Sequence, residues 1–351
     1  MNIAVSTQSP VSAKPLGKNL GFGTHATDHL FVVNYSDERG WYAPRVEPYG
    51  PIDVDPRALA IHYGSAIFEG LKIYRQPDGG LALFRPDYNA NRLNTSAALV
   101  ALPELPTDIF LDGLIAVVRK DAAWAPQDTD YTLYARPVMM ATEPILGVQR
   151  PKECVFYIIL TPTPPYYRED QPGFKLLADK KLSRGSTYSV AASKTAGNYA
   201  KMIVPMEDAR KRGFDNILWL GGEGQNLIEE AGITNVFVVY DDHIATPPLD
   251  GQILPGATRD SAITLLRGQD KTVVEKEISI EDLCRDIRQG RVTEVFLTGT
   301  ATVVAPVASI TYEDEAVDLG PDSPVAKRLY QTLTGIQGGT LPDPYGWLHH
   351  V

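Results

Sequence analysis

The 351-residue sequence is poor in cysteine. Its two cysteines, Cys154 and Cys284, form no CxxC pair, which indicates a reducing compartment, and we expect the cytoplasm. His25 and His29 lie four residues apart, but no glutamate or further histidine completes a zinc pattern around them. We therefore predict no metal site.

The sequence also lacks a long apolar run and an excess of positive charge. No segment is apolar enough to span a bilayer, and no charged-then-apolar signal segment opens the chain. The formal net charge of −10 disfavours nucleic acid or an anionic membrane as a partner. Neither GxGxxG nor GxxxxGK[ST] occurs, so dinucleotide-binding and P-loop interpretations are set aside. Hydrophobic content of 44% and charged content of 22% are typical of a soluble protein, and the length predicts two domains.

Composition also predicts where the domains lie. Residues 1–27 are rich in Ser, Thr, Gly and Pro and predict an extended N-terminal arm. Residues 161–171 carry three prolines within their first ten positions and predict an interdomain linker. We expect a small domain over 28–160 and a large domain over 172–351, which carries Lys194. Strands and helices mix in both without a regular βαβ rhythm, so the predicted class is α+β.

Local patterns predict the helices and strands of both domains. Apolar, β-rich runs predict strands at 30–33, 70–75, 81–84, 131–140, 155–160, 217–220, 234–239 and, as the last one, 294–297. The residues predicted to begin or cap helices are Pro86, Thr107 with Asp108, Thr258, and Ser279 with Asp282. A further helix is expected from about Tyr199 to near Gly213, with Pro205 bending or breaking it. Residues 221–224 predict a hairpin turn, and His349-His350 a surface tail.

The segment around Lys194 is the strongest chemical signal. Residues 192–199 read ASKTAGNY, so small residues surround one amine and Tyr199 follows five positions later. A lysine that forms a Schiff base needs such neighbours, because small residues leave room for a flat cofactor and a tyrosine can hydrogen-bond it. Only the neutral amine attacks a carbonyl. An exposed lysine before a helix is the alternative for this segment taken alone.

A phosphorylated cofactor also needs an anion site and an acid. Free amides at turns and helix N-termini can supply the first, and residues 254–260 and 298–301 qualify. Arg92 could add a positive charge with bidentate geometry. An acid that keeps a pyridine nitrogen protonated stabilises the carbanion formed on loss of the α-proton, and Glu230 is the candidate, with Glu229 as the neighbour that could be confused with it.

Taken together, these motifs resemble those of a branched-chain amino-acid aminotransferase, a fold-type IV enzyme that uses pyridoxal 5′-phosphate (PLP). The resemblance runs from about residue 28 to the C-terminus. The matching segments, in order, are 62–70, 84–93, 134–137, 194–199, 230–237, 254–260 and 298–301. The mammalian members carry a redox CxxC after the last of these segments, where this chain has Thr302, Val303, Val304 and Ala305. That form of regulation is therefore not expected.

The resemblance implies a role for each matched residue. Lys194 would be the Schiff-base lysine and the base that moves the proton, Tyr199 the partner of the cofactor's phenolic oxygen, and Glu230 the ring-nitrogen acid. The implied phosphate contacts are Arg92, Ala257, Thr258 and Thr300. The implied substrate contacts are Tyr63 and Phe68 in the side-chain wall, Tyr134 and Arg136 in the Tyr-x-Arg motif of L-branched-chain enzymes, and the amides of Thr300 and Ala301. In the family part of this wall comes from a second subunit, so a homodimer is expected.

The implied reaction is a ping-pong transamination of branched-chain amino-acid biosynthesis. Leucine, isoleucine or valine would give its amino group to the cofactor, and 2-oxoglutarate would collect it as L-glutamate. Hydrophobic pockets discriminate by only ~1–3 kcal/mol per methylene, so the sequence does not rank the three substrates. Two fold-type IV alternatives are a D-amino-acid aminotransferase, which Tyr134 and Arg136 disfavour, and an aminodeoxychorismate lyase. A non-catalytic PLP or metabolite binder is disfavoured by the presence of Lys194, Tyr199 and Glu230 together.

Overall fold

The structure, a computed structural model, describes residues 3–7, 20–128, 131–168, 170–181, 190–224 and 226–351. The chain divides into two compact units. Unit 1 comprises Met1–Pro165, Ser193–Ala196 and Ile336–Val351, and unit 2 comprises Tyr166–Ala192 and Gly197–Gly335. Lys194 therefore belongs to unit 1, although the residues on both sides of its short segment belong to unit 2.

Strands and helices alternate irregularly along the chain. The strands are β1 (Ala4–Val5), β2 (His29–Ser36), β3 (Gly40–Pro48), β4 (Ala66–Phe68), β5 (Leu71–Arg75), β6 (Leu81–Phe84), β7 (Thr132–Ala141), β8 (Glu153–Thr163), β9 (Phe174–Ala178), β10 (Asn216–Gly221), β11 (Leu227–Ala231), β12 (Asn235–Tyr240), β13 (Ile244–Thr246), β14 (Val273–Glu275), β15 (Val292–Gly299), β16 (Val303–Tyr312), β17 (Glu315–Asp318) and β18 (Leu348–His350). The α-helices are α1 (Leu59–Tyr63), α2 (Pro86–Leu99), α3 (Thr107–Lys120), α4 (Ala196–Ala200), α5 (Ile203–Lys211), α6 (Ala257–Arg267), α7 (Ile280–Arg288) and α8 (Pro324–Gln337).

Unit 1 is built on a sheet that the described residues order as β1-β3-β2-β8-β7-β5-β6-β18, with β4 also paired to β7. Side chains alternate between the two faces of each strand. Leu133 and Ala135 on β7 join the main hydrophobic core, which also holds the buried faces of α2 and α3. Tyr134 and Arg136 alternate with them and therefore lie on the opposite face of the sheet.

Three local predictions in unit 1 have clear outcomes. The helix predicted at Pro86 is confirmed, because α2 begins there with proline in its first turn. The prediction that Thr107 and Asp108 cap a helix is wrong, since Pro106 occupies the N-cap position and Thr107 is already helical. The prediction for His349-His350 is wrong as to a tail, because both residues belong to β18, which pairs with β6, but both do lie at least partly at the surface. Strand β8 continues to Thr163, so strand includes the first three residues of the segment expected to be a linker.

Unit 2 is built on a second sheet, ordered β11-β10-β9-β16-β15-β12-β13-β14 with β17 paired to β16. Its core joins this sheet to α7, which buries Ile280, Leu283, Cys284 and Ile287. Ser279 caps α7 by accepting a hydrogen bond from the backbone N–H of Asp282, as predicted. The hairpin turn predicted at 221–224 is confirmed by the antiparallel pairing of β10 with β11.

Other predictions in unit 2 need correction. The single helix expected from Tyr199 to Gly213 is two helices, α4 and α5, and the break precedes Pro205, which lies in the first turn of α5. Thr258 is not the cap of α6: Gly256 holds that position with an extended backbone, and Thr258 lies inside the first turn. Strand β15 is not the last, because β16, β17 and β18 follow it. Within the described residues, no helix combines the length and apolar character needed to cross a membrane.

Candidate functional site

The backbone of Lys194 is fixed by β4 and α2 of unit 1. The N–H of Phe68 donates to the carbonyl of Lys194 at 3.0 Å, and Ile67 forms a β-bridge with Thr195. On the other side, the N–H of Lys194 donates to Ser96 Oγ of α2 at 2.9 Å. The Thr195 hydroxyl adds a bond of 2.9 Å to the carbonyl of Ala66. These bonds hold the short segment from two sides. They therefore define the position of the Lys194 backbone from which the amine extends.

The side chain of Lys194 faces the ring of Phe68. Its Nζ lies 4.7 Å from the ring centroid, and the guanidinium carbon of Arg136 lies 4.7 Å from the same centroid. Arg136 Nη2 also donates to the hydroxyl of Tyr134 at 3.3 Å. Lys194 and Arg136 thus face the same Phe68 ring, and Tyr134 joins this group through its bond to Arg136. The group combines an apolar wall with two cationic side chains.

Gly70 explains how the Tyr134 hydroxyl reaches this group. A Cβ at residue 70 would lie 1.8 Å from the Tyr134 hydroxyl oxygen, so a side chain there would displace the phenol. Tyr134 itself is buried, with 6% of its surface exposed. Gly70 is therefore needed to make room for the Tyr134 hydroxyl, and not because a turn requires glycine there.

Arg92 lies on α2 and is paired with Glu69. Its Nε donates to Glu69 Oε1 and its Nη2 to Oε2, each at 2.7 Å, and both residues are buried. Burial alone would raise the pKa of Glu69, but the neighbouring charges of Arg92 and Lys194 hold that pKa below its ordinary value. The carboxylate is therefore ionised at neutral pH, and it balances the charge of the predicted phosphate-binding arginine.

Tyr63 is placed differently from the other predicted wall residue. It ends α1, 47% of its surface is exposed, and its hydroxyl donates to the carbonyl of Leu146 at 2.5 Å. Phe68, in contrast, is half-buried beside Lys194.

The predicted ring-nitrogen acid, Glu230, lies in the interior of unit 2. Only 2% of it is exposed, which excludes a solvent-exposed carboxylate at this position. Its Oε1 accepts hydrogen bonds from Asn235 Nδ2 at 3.0 Å and from the N–H of Leu254 at 3.1 Å. Glu229, its neighbour on β11, has its carboxylate near Gly221, where a Cβ would meet Glu229 Oε1. The alternation of strand side chains separates the two glutamates.

Asn235 connects Glu230 to the first turn of α6. Its Nδ2 donates to Glu230 Oε1 and to the carbonyl of Leu254, each at 3.0 Å. Its Oδ1 would lie 2.1 Å from a Cβ on Gly256, the N-cap residue of α6. Ala257 and Thr258 follow in the first turn, where backbone N–H groups have no intrahelical acceptor and favour anions. One amide side chain thus fixes the buried carboxylate and the start of the helix relative to each other.

Thr300 and Ala301 occupy the turn between β15 and β16. Gly299 pairs with Val303 across this turn. Val303 adopts a left-handed backbone with φ of 58°, a conformation that a β-branched residue rarely takes. The predicted anion-binding turn is therefore a tight, strained connection between two buried strands.

Tyr199 belongs to α4 and is half-buried. It packs against the cluster of Leu177, Met202, Ala209, Ile217 and Trp219 in unit 2. This packing restricts the ring while leaving part of the side chain accessible.

Three residues of the site were not assigned a role from the sequence. Glu69 pairs with Arg92, Ser96 anchors the backbone of Lys194, and Asn235 holds Glu230. Asn235 lies in a matched segment and Glu69 follows Phe68 in another, but a single sequence does not show which side chain a buried polar group meets. Ser96 lies four residues after Arg92, on the same face of a predicted helix, and that spacing was the available signal.

Comparisons with known proteins agree on one family. Residues 66–310 match the model of amino-transferase class IV. The chain is 39% identical over 351 residues to branched-chain-amino-acid aminotransferase 2 of Bacillus subtilis (strain 168), covering 99% of this chain and 97% of the relative. The branched-chain amino acid aminotransferase of Escherichia coli superimposes with a TM-score of 0.77 at 27% identity, covering 92% of this chain and 98% of that one. The branched-chain amino acid aminotransferase of Thermobaculum terrenum, solved in its PLP-bound holo-form, shares the fold with a TM-score of 0.74 at 22% identity, covering 93% of this chain and 98% of that one.

Proposed function

The chain belongs to the class IV aminotransferases, within them to the branched-chain-amino-acid aminotransferase family, and we propose that it transfers the amino group of leucine, isoleucine or valine to 2-oxoglutarate. The products are the branched 2-oxo acid and L-glutamate. The observation that carries this proposal is the shared ring of Phe68, which Lys194 Nζ and the Arg136 guanidinium both face at 4.7 Å. An apolar surface beside a guanidinium suits a branched alkyl side chain in one half-reaction and the side-chain carboxylate of glutamate in the other.

The residues present fit PLP as the cofactor. Glu230 is a buried carboxylate, and two donors orient it. A partner for the ring nitrogen must be buried and oriented in this way. The first turn of α6 offers amides of the kind that bind phosphate, and the clamped Lys194 offers the amine. When bound, PLP withdraws electrons from the α-carbon of the substrate and so makes its proton acidic.

The protein groups share the proposed tasks, of which Lys194 and Thr300 each have two. Lys194 binds the cofactor through its amine and then moves the α-proton, while Glu230 holds a proton at the pyridine nitrogen. Tyr199 hydrogen-bonds the phenolic oxygen, and Arg92, Ala257, Thr258 and Thr300 hold the phosphate. Thr300 and Ala301 present backbone amides to the substrate carboxylate, and Tyr63, Phe68, Tyr134 and Arg136 surround its side chain. We also propose that the two units correspond to the two domains expected from the sequence, except that Lys194 and residues 336–351, assigned to the second domain from the sequence, belong to unit 1.

We further propose a cytoplasmic homodimer as the working form. Unit 1 exposes a group of large apolar side chains: 59% of Ile61, 47% of Tyr63, 57% of Leu146 and 84% of Val148 are accessible. The bond from Tyr63 to Leu146 joins the two segments that carry them. An apolar surface of this kind is typical of an interface, and a two-fold dimer would use it twice. Tyr63 would then serve the site of the other subunit.

The reaction is tested by incubating purified protein with L-leucine and 2-oxoglutarate and measuring glutamate. We expect glutamate to form with L-leucine and not with D-leucine. Borohydride should fix the cofactor to the peptide that contains Lys194. Labelling of Lys180, Lys181 or Lys201 instead, or glutamate formation from D-leucine alone, would contradict the proposal.

The dimer is tested by mixing a Lys194→Ala chain with a Tyr63→Ala chain. If Tyr63 acts on the other subunit, one site of each hybrid collects both changes and the other collects neither, so activity should partly recover. Full activity of a protein that sedimentation shows to be monomeric would contradict the dimer.

A further inference from the structure

Glu69 is held more tightly than a simple ion-pair partner requires. Its Oε2 accepts three bonds, from Arg92 Nη2 at 2.7 Å, Asn89 Nδ2 at 2.8 Å and the N–H of Gly70 at 3.2 Å, while Oε1 accepts Arg92 Nε at 2.7 Å. The residue is 0% exposed. Because Asn89 and Arg92 lie three residues apart on α2, the helix approaches the carboxylate with two side chains at once. The plane of the guanidinium is therefore oriented by a carboxylate that Asn89 and the Gly70 N–H also hold.

The same short segment also fixes Lys194. Phe68, directly before Glu69, donates its N–H to the Lys194 carbonyl, and α2 supplies Ser96 to the Lys194 N–H. The backbone of Lys194 and the guanidinium of Arg92 are thus held by two consecutive residues, Phe68 and Glu69, and by residues of the same helix, α2. A shift of Glu69, and of Arg92 with it, would therefore disturb the segment that holds the Lys194 backbone.

We infer that Glu69 is a positioning residue, which sets the guanidinium of Arg92 at a fixed place relative to Lys194 and so gives the protein its preference for phosphorylated over unphosphorylated pyridoxal. This inference rests on the proposed function. Arg92 supplies two of its nitrogens to Glu69, so the charge that it presents to a phosphate is already partly balanced. The contribution of Arg92 to phosphate binding then depends on the direction in which its guanidinium points, and Glu69 controls that direction.

A purely structural ion pair would behave differently. Loss of such a pair lowers stability but weakens the binding of PLP and of pyridoxal equally. The ratio of the two dissociation constants, measured by the absorbance of the bound cofactor on full-length protein freed of its own cofactor, separates the two roles. The variants are Glu69→Gln, Arg92→Gln and the double variant. The control is Asp121→Asn, which breaks the buried pair of Asp121 with His29 elsewhere in unit 1.

We expect Glu69→Gln to lower the preference for PLP over pyridoxal about tenfold, in line with the loss of a charge-assisted hydrogen bond. Arg92→Gln should lower it at least as far, and the double variant should be no worse than Arg92→Gln, because Glu69 acts through Arg92. Asp121→Asn should leave the ratio unchanged. An unchanged ratio in Glu69→Gln, or losses that add in the double variant, would overturn the inference.

A milder variant covers the case in which Glu69→Gln does not fold. Asn89→Ala removes one donor to Glu69 Oε2 and leaves the ion pair in place. We expect the preference for PLP to fall about threefold, and no change would overturn the inference. If the wild-type protein attaches neither cofactor to Lys194, the proposed function itself is wrong, which is a result distinct from any of these.

Discussion

The two units bury carboxylates in contrasting ways. Glu69 in unit 1 meets a guanidinium that donates twice, and Glu230 in unit 2 meets an amide side chain and a backbone N–H. A cationic partner fixes both the orientation and the ionised state of a carboxylate, as the lowered pKa of Glu69 indicates. Neutral donors also fix the orientation, but each favours the ionised form less strongly than a cationic donor does. The first arrangement suits a group that only positions its neighbour, and the second suits a group that exchanges a proton with a ligand.

The largest effect is expected at Glu230. The Glu230→Gln variant should still bind PLP, because the phosphate contacts are untouched, but turnover should fall on the order of 10²–10⁴-fold with the loss of the ring-nitrogen acid. Steady-state kinetics with L-leucine measures the turnover, and absorbance measures the bound cofactor. Glu229→Gln is the matched control on the same strand, with its carboxylate beside Gly221. A larger loss in the control would exchange the roles of the two glutamates.

The second-largest effect is expected on the free energy of unfolding, which should fall further in a Glu69 variant than in a Glu230 variant. Removing one partner of a buried ion pair leaves the other charge uncompensated, and the free energy of unfolding should fall by about 3–5 kcal/mol in Glu69→Leu. Glu230→Gln, which keeps its shape among neutral donors, should lose only ~1–2 kcal/mol. Urea unfolding of both variants at neutral pH provides the comparison. Equal losses would mean that the two carboxylates are held with similar strength.

The pH dependence of stability follows from the same pair. The pKa of Glu69 in the folded protein is below the value of 4.5 for an unperturbed glutamate. Its contribution to the unfolding free energy is therefore complete above pH 4.5 and is lost as the pH falls through the folded pKa. We expect wild-type stability to decline more steeply than that of Glu69→Gln as the pH is lowered below 4.5. Parallel urea-unfolding curves for the two proteins over that range would contradict this.

A smaller effect is expected where Asn235 approaches α6. In Gly256→Ala the new Cβ would meet Asn235 Oδ1, and Asn235 cannot turn away without releasing Glu230 and Leu254. We expect a loss of ~1–3 kcal/mol and weaker PLP binding. Gly320→Ala is the control in the same unit, because nothing lies within 4 Å of its Cβ. Thermal unfolding and cofactor titration measure both changes, and equal behaviour of the two variants would mean that the close approach is unimportant.

The smallest effect is expected at Val303. Glycine removes the cost of the left-handed conformation, about 1–2 kcal/mol, but adds a backbone-entropy cost of about 0.5–1 kcal/mol. Because Val303 is itself buried, Val303→Gly also loses apolar packing, and the relieved backbone conformation offsets part of that loss in urea unfolding. Val304→Gly, one residue further along β16, is the control and should be clearly less stable, since it removes a buried side chain from the strand.

The sequence predicted those features that depend on neighbouring residues. The starts of α2 and α7 follow from Pro86 and Ser279, whose effect on a helix terminus is local. Thr258 was a suitable capping residue by type, yet α6 begins earlier because Gly256 can lie against Asn235, which is distant in the chain. The helix propensity of single residues does not predict a close contact between residues that are distant in the chain. The same reason explains why Glu69 received no role, since its partner is 23 residues away.

Strands β16 to β18 and helix α8 were not predicted, and they show a second limit of prediction from local sequence patterns. Val303, for example, begins β16 in a backbone conformation that local preference disfavours, and its strand is held by partners on both sides. Strand β18 consists of two histidines and a leucine, a composition without a strand signal, and pairing with β6 determines its conformation. Where a distant strand supplies the hydrogen bonds, a local pattern cannot reveal the element.

The position of β18 also has a consequence during synthesis on the ribosome. Strand β6 is translated long before Leu348, Trp347 and the rest of the segment that completes unit 1. At typical elongation rates the delay is roughly 10–50 s. Until then the edge of β6 has unsatisfied backbone groups, and such edges recruit strands from other chains. Lys194 likewise joins β4 only long after β4 itself has emerged. The side chain of Lys194 therefore does not have its final surroundings until both segments have emerged and unit 1 is complete.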